Sequence, residues 1–196
     1  MTHQLLLEIG LEEIPARFII QSEEQLERRV SDFLEEQRLN FKSIQRFSTP
    51  RRLTVIVNDL SEKQEDFSEE VRGPAKRIAQ DEEGSWTKAA EGFARGQGKT
   101  AEDIFFVEEK GEEYAYIQKD TPGKSAQEVL QGLDKIVESM TFPVSMRWAR
   151  NDFEYIRPIH WIAAVLDDEV IPFQVLDTSS GNTVAGHRFL GADVLV

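Results

Sequence analysis

The sequence predicts an α+β fold, a largely antiparallel sheet with packed helices, and three observations carry that expectation. Two runs, 51–59 (RRLTVIVND) and 159–166 (IHWIAAVL), are apolar on consecutive residues, as strands buried on both faces are. Residues 16–38 and 125–140 space their apolar side chains at helical intervals with charges between them. The order is β-α-β-β, then a helical and hairpin middle, then a helix and a hairpin, so strands and helices are segregated.

Residues 4–9 (QLLLEI) read as a buried strand that Gly10 closes. Pro15 opens a helix, where its missing N–H does no harm, and Phe18, Ile19, Leu26, Val30, Phe33 and Leu34 form its apolar stripe as far as Leu39 and Asn40. A short strand at 43–48 meets a turn at Thr49 and Pro50, since proline donates nothing to a ladder. The central strand 51–59 follows, then a charged surface segment, 61–70, and a break at Gly73 and Pro74. A helical turn at 75–80 and a helix at 86–95, stopped by Gly96 and Gly98, precede a hairpin of 104–107 with 114–118 that turns at Gly111. Ser125 and Glu128 form a capping box for one amphipathic helix ending at Phe142 and Pro143. A second hairpin pairs 159–166 with 170–176, a polar loop covers 177–182, and 183–190 is a last strand. Residues 61–139 are expected to form a lobe inserted into a sheet built from both ends of the chain.

With 40% hydrophobic and 30% charged residues over 196 positions, the chain has the apolar mass for a core. It has no cysteine, hence no disulfide and no thiolate metal site, which is compatible with the cytoplasm. No window approaches the roughly 18 apolar residues of a membrane span, and the start lacks a signal peptide's basic and apolar regions. The apolar ending GADVLV suggests a longer parent chain. The net charge of −13 argues against indiscriminate nucleic-acid binding but leaves room for a local basic face.

Such a face has candidates. Residues 142–161 (FPVSMRWARNDFEYIRPIHW) hold Arg147, Arg150, Arg157, His160, Trp148 and Trp161, a dense basic and aromatic segment in an acidic chain. Arg51 and Arg52, adjacent at a strand start, should point to opposite faces, one toward a phosphate and one inward. With Arg72, Arg147, Arg157 and Arg188 they are the candidate nucleic-acid contacts, and Trp148 or Tyr155 could stack on a base. The alternative is that these arginines pair with Asp152, Glu154 or Asp193 and hold loops. ARGQGKT (94–100) fails as a phosphate loop: Phe93 stands where its first glycine belongs, and a helix precedes it. His3, His160 and His187 have no metal-ligand spacing, and His160 suits a hydrogen-bonded core position. Ser145, His160 and Asp152 could form a hydrolase triad, though without a nucleophile-elbow sequence. Glu12 and Glu13 would complement a helix dipole.

Seven segments follow one another in a familiar order: LLLEIGLEEIPAR (5–17), STPRRLTV (48–55), RGPA (72–75), AAEGFARGQG (89–98), FPVSMRW (142–148), RPIHWIAAVLDDEVIPF (157–173) and GNTVAGHRFLG (181–191). Together they resemble the N-terminal part of the β subunit of bacterial glycyl-tRNA synthetase. The resemblance implies a class II α2β2 enzyme that joins glycine to tRNA-Gly, with ATP and magnesium used at the α subunit. It implies a β subunit whose roles are tRNA contact and assembly, and whose N-terminal region is similar to the editing module of the phenylalanyl-tRNA synthetase β subunit. The expected partners are the α subunit, the rest of β and tRNA-Gly, with no membrane and no cofactor in this region. An editing hydrolase or a scaffold without RNA contact are the alternatives. Val144 stands where the family commonly has lysine; if that lysine touches RNA, this chain has one such contact fewer.

Overall fold

The computed structural model describes residues 2–81, 83–148, 152–186, 191–192 and 194–196. The chain forms two compact units, residues 1–64 with 124–196, and residues 65–123. The helical residues 124–139, expected within the inserted lobe, therefore belong to the first unit. The chain leaves and re-enters that unit at one point. Gln64 N–H donates to the Lys124 carbonyl at 2.9 Å, and Lys124 N–H returns to Gln64 Oε1 at 3.0 Å.

The first unit is a mixed, largely antiparallel sheet covered by helices. Its elements are β1 (Thr2–Leu11), α1 (Ala16–Glu36), β2 (Ser43–Thr49) and β3 (Arg52–Ser61), and, after the excursion, α4 (Ala126–Leu130), α5 (Leu133–Glu138), β7 (Ile159–Leu166), β8 (Glu169–Val170), β9 (Gln174–Val175), β10 (Thr178–Gly181), β11 (Thr183–Val184) and β12 (Val194–Leu195). The strand order is β2-β3-β1-β7-β10-β9, with β8 paired to β7 and only β10 parallel to its neighbour β7. Leu7 sits opposite Val55 on one side and Ala164 on the other. This register puts Leu5, Leu7, Ile9, Leu53, Val55, Val57, Ile162 and Ala164 on one face, buried with Leu26, Val30 and Leu34 of α1. The excursion holds β4 (Phe67–Ala75), α2 (Lys76–Ala79), α3 (Lys88–Gly96), β5 (Phe105–Glu109) and β6 (Glu112–Thr121), with sheet order β4-β6-β5 and a small core of Ala79, Ala90, Ala94, Ile104, Ala115 and Ile117.

Several expectations need correction. Gly10 lies inside β1, paired with Arg52 and Trp161, and does not close it. The helix expected at 125–140 is two, α4 and α5, broken at Gln131 and Gly132, where the Phe33 ring comes within 3.4 Å of the Cβ position at Gly132. The charged segment 61–70 and the Gly73–Pro74 break contain β4, an edge strand with a register shift between Arg72 and Ala75, a place where proline is tolerated. The polar loop 177–182 contains β10, and the hairpin partner of β7 is only two residues long. Of the expected last strand, residues 183–186 are described, and of these only Thr183 and Val184, β11, are strand.

The start of β1 is tied to the β7–β8 turn through Asp167. Its carboxylate accepts Gln4 N–H at 2.8 Å and meets His3 Nδ1 at 2.6 Å. The Gln4 bond first, then His3, holds its pKa below the ordinary value. That stabilisation is present above the unfolded pKa of about 3.9 and is lost as pH falls through the lower folded value. Asp167→Asn, which tolerates the left-handed turn position, should therefore flatten the acid limb of stability. The effect is modest because the side chain is half exposed. Urea midpoints at about pH 7 and pH 3 check it; parallel curves for both proteins would remove Asp167 from the acid response.

Candidate nucleic-acid interface

Segments far apart in sequence meet at one end of the main sheet. Leu11 N–H donates to the Arg51 carbonyl at 2.8 Å, Ile14 N–H to Pro50 at 2.7 Å and Glu12 N–H to Pro158 at 3.1 Å. Arg157 Nε donates to the Glu13 carbonyl at 3.0 Å, and Arg52 reaches the Ala185 carbonyl at 2.7 Å. Parts of four of the seven singled-out segments, near residues 10–14, 50–52, 157–161 and 185, are thereby joined by hydrogen bonds to backbone carbonyls.

A buried carboxylate organises the sheet side of this end. Glu8, 7% exposed, accepts from Trp161 Nε1 at 3.0 Å and from Thr54 Oγ1 at 3.0 Å, with Arg52 at 3.6 Å. Trp161 lies over Gly10, because a Cβ there would fall inside the indole ring. The Arg51 and Arg52 guanidinium groups sit 6.0 and 5.6 Å from the Trp161 ring centre. A charged buried group is tolerable only when its lone pairs and its charge are matched, and Glu8 has all three partners in place.

Each candidate arginine has a definite setting. Arg52 pairs inward, as one of the two was expected to. Arg51, however, lies in the turn before β3 begins, so the alternation of a strand does not apply and both guanidiniums approach Trp161. Arg157 also donates to the Ile156 carbonyl at 2.7 Å. Arg147 pairs with Glu154 at 3.0 Å, and Glu154 also accepts from Ser145 at 2.9 Å. The Ser145 bond, then Arg147, hold the Glu154 carboxyl below its usual range. In the second unit Arg72 pairs with Glu109 at 3.1 Å and lies 3.7 Å over the Tyr114 ring. Arg188 and Arg150 lie outside the described residues, with His187 and Asp193.

Other expectations resolve locally. His160 is exposed, not a core residue, and its Nε2 is 3.1 Å from Glu12. Glu12 and Glu13 precede a helix whose first turn holds no acid. Ser145 and His160 bond different carboxylates, Glu154 and Glu12, so they form no triad with Asp152. Residues 94–100 close α3 and start a 3₁₀ turn capped by Thr100 and Asp103. Trp148 packs partly buried against the main core, edge-on to Phe153. Sequence reasoning missed Glu8, Thr54 and Gly10. The acid in the otherwise apolar run QLLLEI was the one available signal. Among the described residues no group of three or more His, Asp or Glu is placed to hold a metal ion, and no helix is long and apolar enough to cross a membrane.

Fold and site together define a class: an α+β protein whose charged groups are gathered by separated segments at one end of a mixed sheet. Comparison narrows the class. A family model described as glycyl-tRNA synthetase beta subunit matches residues 5–196, and the chain belongs to that family. Its relatives include proteins named glycine–tRNA ligase beta subunit from Ligilactobacillus salivarius, 55% identical over 194 residues and 99% of this chain. Those of Lactobacillus delbrueckii subsp. bulgaricus and Lactobacillus gasseri are 54% and 53% identical over the whole chain. The chain spans 28% of the length of each of these relatives.

Proposed function

We propose that the chain is a tRNA-contacting and assembly module of the β subunit of a heterotetrameric glycine–tRNA ligase, acting in the cytoplasm, and that it does not itself carry the adenylation chemistry. Membership of the β-subunit family across nearly the whole chain carries this reading. In it, ATP and magnesium are used by the α subunit. The glycine-bearing segment 94–100 supports that division, since it closes a helix and does not follow a strand as a phosphate loop does. Arg51, Arg52, Arg72, Arg147, Arg157 and Arg188 are the proposed phosphate contacts. Because most of those described already have internal partners, they would position RNA weakly and through rearranged ion pairs.

The exposed Glu12–His160 pair supports a second reading, an editing-type hydrolase of misacylated tRNA in a fold similar to the phenylalanyl editing module. A deacylation assay on mischarged tRNA-Gly separates the two: loss of a real hydrolytic rate in His160→Ala would favour editing. For the leading reading, the measurement is tRNA-Gly affinity against salt for the full-length β subunit. Arg147→Ala should lower the salt slope by about 0.7–0.9 without changing which tRNA is preferred. Arg147 is the cleaner probe, since Arg157 also braces backbone carbonyls. Unchanged affinity and slope in folded variants, or pyrophosphate exchange with glycine and ATP by the isolated chain, would overturn the reading.

A further inference from the structure

The longest stretch of this chain without a carboxylate is residues 37–58, and it carries five cations, Arg38, Lys42, Arg46, Arg51 and Arg52, in a chain of net charge −13. It builds β2 and most of β3, so the acid-free run becomes one edge of the main sheet. Phe47 is opposite Thr54 and Thr49 opposite Arg52. Because side chains alternate, these four share the face away from Leu53 and Val55.

Phe47 stands out on that face. It is 52% exposed and belongs to neither apolar cluster. Its neighbours along the strand and across it, Gln45, Thr49 and Thr54, are polar. The apolar heart of a protein–protein contact is a cluster of such side chains, whereas a lone aromatic ring in a polar setting suits a flat, stackable partner.

The cations of the run differ in what they have left to give. Arg46 turns to the other face and is held by Glu23, Glu24 and Glu27. Lys42 pairs with Asp59 at 3.5 Å, and Arg52 with Glu8. Among the described residues Arg51 has no carboxylate partner, and its Nε is the one buried side-chain nitrogen or oxygen there without a hydrogen-bond partner. An unmatched guanidinium is a fork for an anion, and phosphate fits that fork. Thr49 lies two residues, or ~7 Å, along β2 from Phe47; Arg51 is in the turn that follows it, and its N–H donates to Thr49 Oγ1 at 3.2 Å.

We infer that the β2 side of this sheet face binds an unpaired nucleotide of RNA, the base stacked on Phe47 and a phosphate on Arg51. The occupant is anionic because Arg51 is the cation of the run whose guanidinium is left unmatched, and planar because the apolar contact offered is one ring. This deepens the tRNA reading and rests on it.

The experiment uses the full-length β subunit, a tRNA-Gly transcript as probe, and affinity measured across a salt series, with melting curves confirming folding. Phe47→Leu keeps an apolar side chain and removes the ring; it should weaken binding about 10-fold with the salt slope unchanged, since stacking releases no counterions. Arg51→Gln should weaken binding and lower the slope by about 0.7–0.9, and Arg51→Lys should restore the slope. Normal affinity in Phe47→Leu and Arg51→Gln, while Arg147→Ala weakens binding, would overturn this site and leave the tRNA reading standing. Normal affinity in all three variants would overturn both. A Phe47→Leu protein that binds tRNA normally but loses the α subunit on gel filtration would reassign the face to a protein partner and overturn the site.

Discussion

Gly10→Ala should destabilise the protein by about 3 kcal/mol, far more than a glycine-to-alanine change in a strand ordinarily does. On local grounds alanine is the better strand residue, because glycine loses more backbone freedom on folding. The opposing effect is steric and lies some 150 residues away in sequence. Gly10 pairs with Arg52 on one side and Trp161 on the other in the middle of the sheet, and the added methyl would occupy the indole ring. Trp161 would have to leave, and its departure takes the 3.0 Å bond from Glu8 and the aromatic face from beside Arg51 and Arg52. Glu8 would then be a buried carboxylate with one partner fewer. At roughly 3 °C per kcal/mol for a chain of this size, the midpoint of thermal unfolding should fall by about 9 °C. The control is the double-mutant cycle with Trp161→Leu: once the indole is gone, adding the methyl should cost less than about 1 kcal/mol. An equal cost in both backgrounds would show that Trp161 is not the obstacle.

That glycine also shows where reading the sequence stops. After QLLLEI, glycine reads as a terminator, because a short apolar run followed by glycine ordinarily ends a strand. Nothing near it in sequence announces a tryptophan from β7. The same holds at Gly132. The apolar spacing from Val129 to Val137 keeps helical phase, yet the chain breaks at Gln131 and Gly132, where Phe33 of α1 packs in van der Waals range. Where burial decides, the sequence was legible: β3 and β7 are interior strands of the sheet, and their Leu53, Val55, Val57, Ile162 and Ala164 are buried. Where strands are exposed, it was not. β4 reads as a charged surface segment because most of its side chains face solvent, and β10 (TSSG) has no apolar signal at all.

The site divides the same way. The arginines were visible as residue types, but their partners were not, since Glu8, the Glu13 and Ala185 carbonyls and Glu154 become neighbours only through the register of the sheet and the fold of the 142–158 arm. Phe47 passed unnoticed because an aromatic residue in a short strand is an ordinary core signal. Its meaning comes from the face it occupies, fixed by its pairing with Thr54.

Tyr155 should separate packing from hydrogen bonding in that arm. Its side chain is fully buried, with the Phe142 ring at 4.7 Å edge-on and the Phe153 ring at 5.6 Å stacked. Its backbone exchanges both hydrogen bonds with Met146, at 2.8 and 3.1 Å, in an isolated β-bridge beside the Glu154–Arg147 pair. Among the described residues the hydroxyl's hydrogen-bond partner is the Met140 sulfur, at 3.1 Å, a weak acceptor. Tyr155→Phe should therefore cost less than about 1 kcal/mol, and Tyr155→Ala about 3–5 kcal/mol, because an aromatic cavity opens beneath the arm. Burial also drives the phenol's pKa far upward. The folded state then keeps a proton that the unfolded chain gives up above about pH 10, so this group's contribution to stability falls as pH rises beyond that point. Tyr155→Phe should lessen that alkaline loss even though it leaves neutral stability nearly unchanged. Urea unfolding at about pH 7 and pH 10.5 measures both effects. A phenylalanine variant as unstable as the alanine one would mean that the hydroxyl, not the ring, holds the arm.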